Sequence, residues 1–180
     1  EMPRQEIAGR LAARLGESRV AELPVNFLDT TSNLDAIAAL VKVQHRRRPL
    51  GMLVVDYLQL LDVKGNRQDT RQDRIAAASR TLKRLAMDLQ IPVIAGSQLN
   101  RDSEKRGKPT MADLRESGAI EQDADVVILI SVDRDSGESE LDVCKHRGGA
   151  TGRVSVELDG PRFQFSEKIP SWVGAEEKWG

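Results

Sequence analysis

Residues 50–56, LGMLVVD, form an almost continuous apolar run that closes on a carboxylate. A strand with one wet face alternates apolar and polar residues, so an unbroken run predicts a parallel strand buried on both faces. Residues 92–96 (PVIAG) and 125–131 (DVVILIS) read the same way. Between the first two runs, residues 69–90 carry Ile75, Ala78, Leu82, Leu85, Ala86 and Leu89 on one side of an amphipathic helix. Upstream, residues 3–15 (PRQEIAGRLAARL) have Ile7, Ala8, Leu11 and Leu15 at helical spacing, and Pro3 suits a first helical turn. Residues 24–29 predict a brief strand, and Ser32 with Asp35 three positions on predicts a capping box for a helix from about 33 to 47. Downstream, three shorter β segments are expected at 140–145, 152–158 and 162–165, separated by glycine-rich turns. The succession predicts an α/β fold with a mostly parallel central sheet flanked by helices and an antiparallel β edge at the C-terminal end. No repeat or low-complexity tract interrupts it, and residues 169–180 have no clear periodicity.

Composition narrows the function classes. The 180 residues contain 27 Lys+Arg against 28 Asp+Glu, a net charge of −1, so nucleic-acid contact must come from a local patch. A single cysteine excludes an intrachain disulfide and a Cys-based zinc cluster. Neither a signal peptide nor an apolar run of membrane-spanning length is present, which predicts a soluble, cytoplasmic domain. Residue 1 is Glu rather than Met, and the sequence is expected to begin inside an element.

In open parallel sheets ligands bind outside the carboxyl ends of the strands, and that rule picks out the chemistry. Asp56 ends the 50–56 run, where an acid can serve a phosphate-bound Mg²⁺; the alternative is an ordinary strand-ending acid or helix cap. Gln98, in GSQLN after the next strand, would share that edge, where a neutral amide can bond a γ-phosphate or an attacking water; the alternative is an ordinary loop residue. Glu1 could polarise a water, or simply be a solvated terminal acid. The charged segment 113–125, with Arg115 and Gly118, can offer a guanidinium and backbone N–H groups to a phosphate backbone, or be a solvated connection. Arg101, Lys105, Arg106 and Lys108 just before it are the local basic patch that a neutral average leaves possible. Lys145 and Arg147 project from a turn at a sheet edge, where a planar guanidinium can reach into another subunit's phosphate site; the alternative is a basic turn. His45 and His146 have no ligand partners at metal spacing, and Arg46–Arg48 fit a helix end, where cations complement the dipole.

Four segments, LVVDYLQLL (53–61), IPVIAGSQLNR (91–101), MADLRESGAIEQDADVVILI (111–130) and CKHRGGATG (144–152), resemble in order and spacing the ATPase domain of DnaB-type replicative DNA helicases. DLRESGAIEQDAD is the most specific of them and separates helicase from recombinase. The resemblance covers roughly residues 1–166, leaving 167–180 as a tail. It implies a RecA-like P-loop NTPase core, partial here, in a hexameric ring that couples hydrolysis of ATP with Mg²⁺ to 5′ to 3′ movement on single-stranded DNA. Primase and a helicase loader are the implied further partners, and no membrane is implied. By position, the resemblance matches Glu1 to the catalytic glutamate, Asp56 to the acid on the Mg²⁺ shell and Gln98 to the γ-phosphate sensor. It matches Arg115, Glu116 and Gly118 to the DNA-tracking loop, and Lys145 and Arg147 to the pair reaching the neighbouring subunit's nucleotide.

Two departures are visible. The family's GxxxxGK[ST] loop does not occur, since Gly107-Lys108 is followed by Pro109, and the connection between Leu15 and Pro24 is short for the family. Residues 1–180 by themselves are therefore expected to bind ATP poorly and to be inactive. The competing readings are a non-catalytic RecA-like relative that binds DNA or a partner, and a RecA-like recombinase or other P-loop ATPase. Retention of Glu1, Asp56, Gln98, Lys145 and Arg147 together favours the helicase.

Overall fold

A computed structural model describes residues 4–66, 68–100, 109–132, 138–161 and 164–167. Glu1, the basic patch Arg101 to Lys108 and residues 168–180 of the tail lie outside the described residues.

Helix α1, Arg4–Leu15, has the expected apolar face and gives way to α2, Glu17–Glu22, across Gly16. Gly16 sits at φ 86, a left-handed conformation that glycine adopts without a Cβ penalty. Helix α3, Leu34–Arg47, is capped by Asn33, whose side chain accepts the Ala36 N–H at 3.0 Å, so the cap is one residue later than Ser32. An amide oxygen at this position satisfies an otherwise orphaned first-turn donor as well as a hydroxyl does. His45, Arg46 and Arg47 complete the last turn of α3. The segment 24–29 joins no ladder among the described residues, and Val25, Phe27 and Leu28 stay exposed. The nearest pairing is an isolated parallel bridge between Asn33 and Asp62. Extended backbone becomes a strand only where a partner accepts its hydrogen bonds.

Strand β1, Leu53–Val55, runs parallel to β2, Val93–Ala95, in the register Leu53 to Val93 and Val55 to Ala95. The crossover between them is α4, Arg71–Leu89. Its start is fixed by a Thr70/Asp73 capping box, with Asp73 N–H donating to Thr70 Oγ1 at 3.2 Å and Thr70 N–H to Asp73 Oδ2 at 2.9 Å. Ile75, Ala78, Leu82 and Leu85 are its buried stripe, at the 3.6-residue period expected. Three of these residues join Leu34, Leu58 and Ile120 in the main core, and Leu53, Val55 and Val93 pack against it.

Four strands follow, after the short helix α5, Gly118–Asp123. They are β3, Val126–Val132, β4, Glu138–His146, β5, Gly152–Asp159, and β6, Gln164–Glu167, joined as one antiparallel meander. Parallel and antiparallel strands are thus both present as expected, although among the described residues they form two separately hydrogen-bonded sheets.

The expected burial of both faces is not observed among the described residues. Val54 and Ile94 are 58% and 54% exposed on β1 and β2, and β3 buries Val127 and Leu129 while leaving Ile128 and Ile130 about half exposed. A continuous apolar run reports that both faces can be covered; α4 covers only one of them in β1 and β2.

Candidate functional site

The exits of β1 and β2 lie side by side because the strands are parallel and in register. Asp56 follows Val55 directly, is exposed, and precedes a cis peptide bond to Tyr57. Gly96 N–H donates to Val55 carbonyl at 2.9 Å, and Gly96 carbonyl accepts from Leu58 N–H at 2.9 Å. A Cβ on Gly96 would lie 3.6 Å from Asp56 Oδ1 and 3.4 Å from Tyr57 Cβ, which shows how closely the two exits approach. Gln98 is exposed two residues further on, so the expected sharing of one sheet edge by Asp56 and Gln98 is present.

The stitch between the exits comes from Gln59, a residue with no motif of its own in the sequence. It lies in a 3₁₀ turn, Leu58–Leu60, and its Nε2 donates to Ser97 Oγ at 3.0 Å and to Gln98 carbonyl at 3.2 Å. Its Oε1 accepts Gln98 N–H at 3.3 Å. The sequence carried no signal for this contact, which joins residues 39 apart along the chain.

The segment after residue 110 is not an open loop. Met111–Ser117 forms a 3₁₀ helix that continues into α5. Thr110 N–H and Oγ1 both donate to Asp113 Oδ2, at 2.7 and 2.9 Å, and Asp113 itself is 2% exposed. Leu114 and Ile120 bury into the two cores, which is why a sequence this charged still folds. Asn100 N–H donates to Asp113 carbonyl at 3.3 Å, tying the segment to the exit of β2. Arg115 and Glu116 belong to the 3₁₀ helix, with side chains outside the described set, and Gly118 is exposed at the start of α5.

Lys145 and Arg147 stand at the end of β4, and both are engaged by the end of α5 and the residues before β3. Lys145 Nζ donates to Glu121 carbonyl; Arg147 Nη2 donates to Gln122 carbonyl at 2.6 Å and Nη1 to Asp125 Oδ1 at 3.1 Å. Lys83, from α4, takes the other Asp125 oxygen. That Lys83 hydrogen bond holds the Asp125 carboxyl below the ordinary carboxylate range; burial opposes it, and the smaller effects of the Lys83 and Arg147 charges add to the lowering.

Each histidine has one hydrogen-bond contact in its own neighbourhood. His45 Nδ1 accepts Leu50 N–H at 3.1 Å, and His146 Nδ1 lies 3.3 Å from Ala150 carbonyl. Among the described residues no cluster of three His, Cys, Asp or Glu side chains could hold a metal, and no helix is long and apolar enough to cross a membrane. Were a nucleotide-bound Mg²⁺ to bind at this edge, Asp56, an exposed carboxylate at a strand exit, is the donor it would meet. That donor set suits a metal that keeps most of its waters and takes its other ligands from phosphate.

Parallel strands joined by a long crossover helix, with an antiparallel end, are the arrangement of a RecA-like domain. One solved ATPase domain matches with a TM-score of 0.76 at 27% identity, over 94% of this chain and 72% of that one. A DnaB-like replicative helicase, described together with its interactions with primase, matches with a TM-score of 0.75 at 28% identity, over 92% and 48%. The family of DnaB-like helicase C terminal domains matches residues 2–167, and the chain belongs to that family. Replicative DNA helicase DnaB of Leifsonia xyli is 40% identical over 163 residues, 84% of this chain and 35% of that protein. The corresponding proteins of Mycobacterium leprae and Haemophilus influenzae are 45% and 43% identical, over 82% and 77% of this chain. The chain spans about a quarter to a third of the length of these relatives.

Proposed function

We propose that the chain is part of a replicative DNA helicase motor, a hexameric ring in which ATP hydrolysis drives 5′ to 3′ movement on single-stranded DNA and unwinding of the duplex. The observation that carries this reading is the adjacency of Asp56 and Gln98 at the exits of paired parallel strands, in a member of the DnaB-like family. Asp56 would hold Mg²⁺ through its water shell, and bound Mg²⁺ with ATP supplies neutralisation of the charge that builds on the γ-phosphate oxygens. Gln98 offers a neutral amide that can bond a γ-phosphate oxygen without competing for the metal. Glu1 is assigned as the base that orients the attacking water, and Lys145 and Arg147 as cations that complete a neighbouring subunit's site. No GxxxxGK[ST] run occurs in the 180 residues, so the phosphate cradle is not among the groups assigned.

Arg115, Glu116 and Gly118 are assigned to the path of the DNA backbone. The link from Asn100 to Asp113 supports a connection from the Gln98 exit to that path, because it joins the two segments directly. A structural neighbour described with primase supports primase as a partner of the assembled motor; a helicase loader acting at assembly and a cytoplasmic setting belong to the same proposal. ATP hydrolysis by the full-length gene product, measured with and without single-stranded DNA, tests the reading. Turnover stimulated by DNA is the expected result, and DNA binding without turnover favours a non-catalytic relative.

A further inference from the structure

Gln59 engages the backbone of Gln98 in both directions, donating to its carbonyl at 3.2 Å and accepting from its N–H at 3.3 Å. A neighbouring strand would make the same pair of contacts, so the side chain continues the β1–β2 pairing past Gly96, whose N–H and carbonyl still bond the backbone of Val55 and Leu58. Its remaining amide hydrogen is directed to Ser97 Oγ at 3.0 Å.

The turn that carries Gln59 does not depend on these bonds. Leu58 is 4% exposed in the main core, Leu61 packs against the same core, and Leu58 N–H bonds Gly96 carbonyl. Residues 97 and 98, by contrast, are half-buried and exposed, and contribute nothing to that core. Loss of the Gln59 amide would leave the turn anchored and release the Ser97–Gln98 backbone.

We propose that Gln59 is a positioning residue: its amide sets the backbone of Gln98, and through it the placement of the Gln98 side chain relative to Asp56 during turnover. The inference rests on the reading of Asp56 and Gln98 given above.

The test combines hydrogen exchange with kinetics on the full-length gene product. In Gln59→Ala the amides of residues 97 and 98 should exchange about tenfold faster or more, while those of α4 from Leu82 to Leu89 are unchanged. DNA-stimulated kcat should fall to about the level of Gln98→Ala, with KM for ATP changed less than about threefold. The double variant should be no slower than Gln98→Ala alone, because both changes act through one group. Gln59→Glu, which keeps an acceptor for Gln98 N–H, should retain more kcat than Gln59→Ala. Unchanged exchange at 97 and 98, or losses that multiply in the double variant, overturns the proposal. If Gln98→Ala turns over normally, the sensor reading of Gln98 falls, and the exchange rates alone then decide for or against Gln59.

Discussion

Arg147 closes on Asp125 through backbone and side chain together: its amide N–H donates to Asp125 carbonyl at 2.9 Å, and its Nη1 donates to Asp125 Oδ1 at 3.1 Å. With Lys145 on Glu121 carbonyl, both cations expected to serve a neighbouring subunit are held by their own chain. In reaching a neighbour they would exchange these partners for phosphate oxygens, which accept charge-assisted hydrogen bonds at least as strong. Arg147→Ala should lower DNA-stimulated turnover by about 10³-fold or more, the range for a lost arginine finger. Mixing with Asp56→Ala subunits, whose Lys145 and Arg147 are intact, should restore turnover in proportion to mixed neighbours. No recovery in any mixture would remove the role between subunits.

Asp125 at that same junction should make stability depend on pH at the acid end. The Lys83 hydrogen bond lowers the folded-state pKa of Asp125, so its contribution to stability is complete above the unfolded carboxylate value, about 3.9, and is lost as pH falls through the lower folded value. The carboxylate side chain is 58% exposed and solvent screens it, so the effect is small. Thermal midpoints measured from about pH 5 down to 2 should fall less steeply in Asp125→Asn than in the parent. Identical slopes would contradict the assignment.

Binding to DNA is predicted to be electrostatic at Arg115. Arg115→Ala should weaken single-strand binding about equally across sequences and reduce the slope of log affinity against log salt by about one. A change confined to particular sequences would point to base contacts instead.

Helix α4 is the scaffold behind the Asp56 exit. Leu85 is 2% exposed, and Leu85→Ala should destabilise by about 2–5 kcal/mol, read from chemical denaturation. A change below about 1 kcal/mol would mean that α4 is not packed as described.

What the sequence made legible follows from how local each signal was. The 50–56 run and the α4 stripe were readable because strand and helix periods are properties of neighbouring residues, and they carried Asp56 and Gln98 to one edge. Residues 24–29 failed as a strand because pairing depends on a partner elsewhere in the chain. Segment 113–125 reads as a charged loop, yet Leu114 and Ile120, two apolar residues among many charges, fold it into helical turns by burial. The Thr70/Asp73 box is a local pattern written in the sequence; the Gln59 contact is not written there, since it depends on parallel pairing.

The central claim, that the β1–β2 exit is an ATP-hydrolysing edge, is tested most directly by turnover of the full-length gene product with Asp56→Ala. Asp56 is exposed, so the circular dichroism spectrum and thermal midpoint should stay close to the parent. DNA-stimulated ATP hydrolysis should be abolished. Full turnover in a folded Asp56→Ala protein would contradict the account.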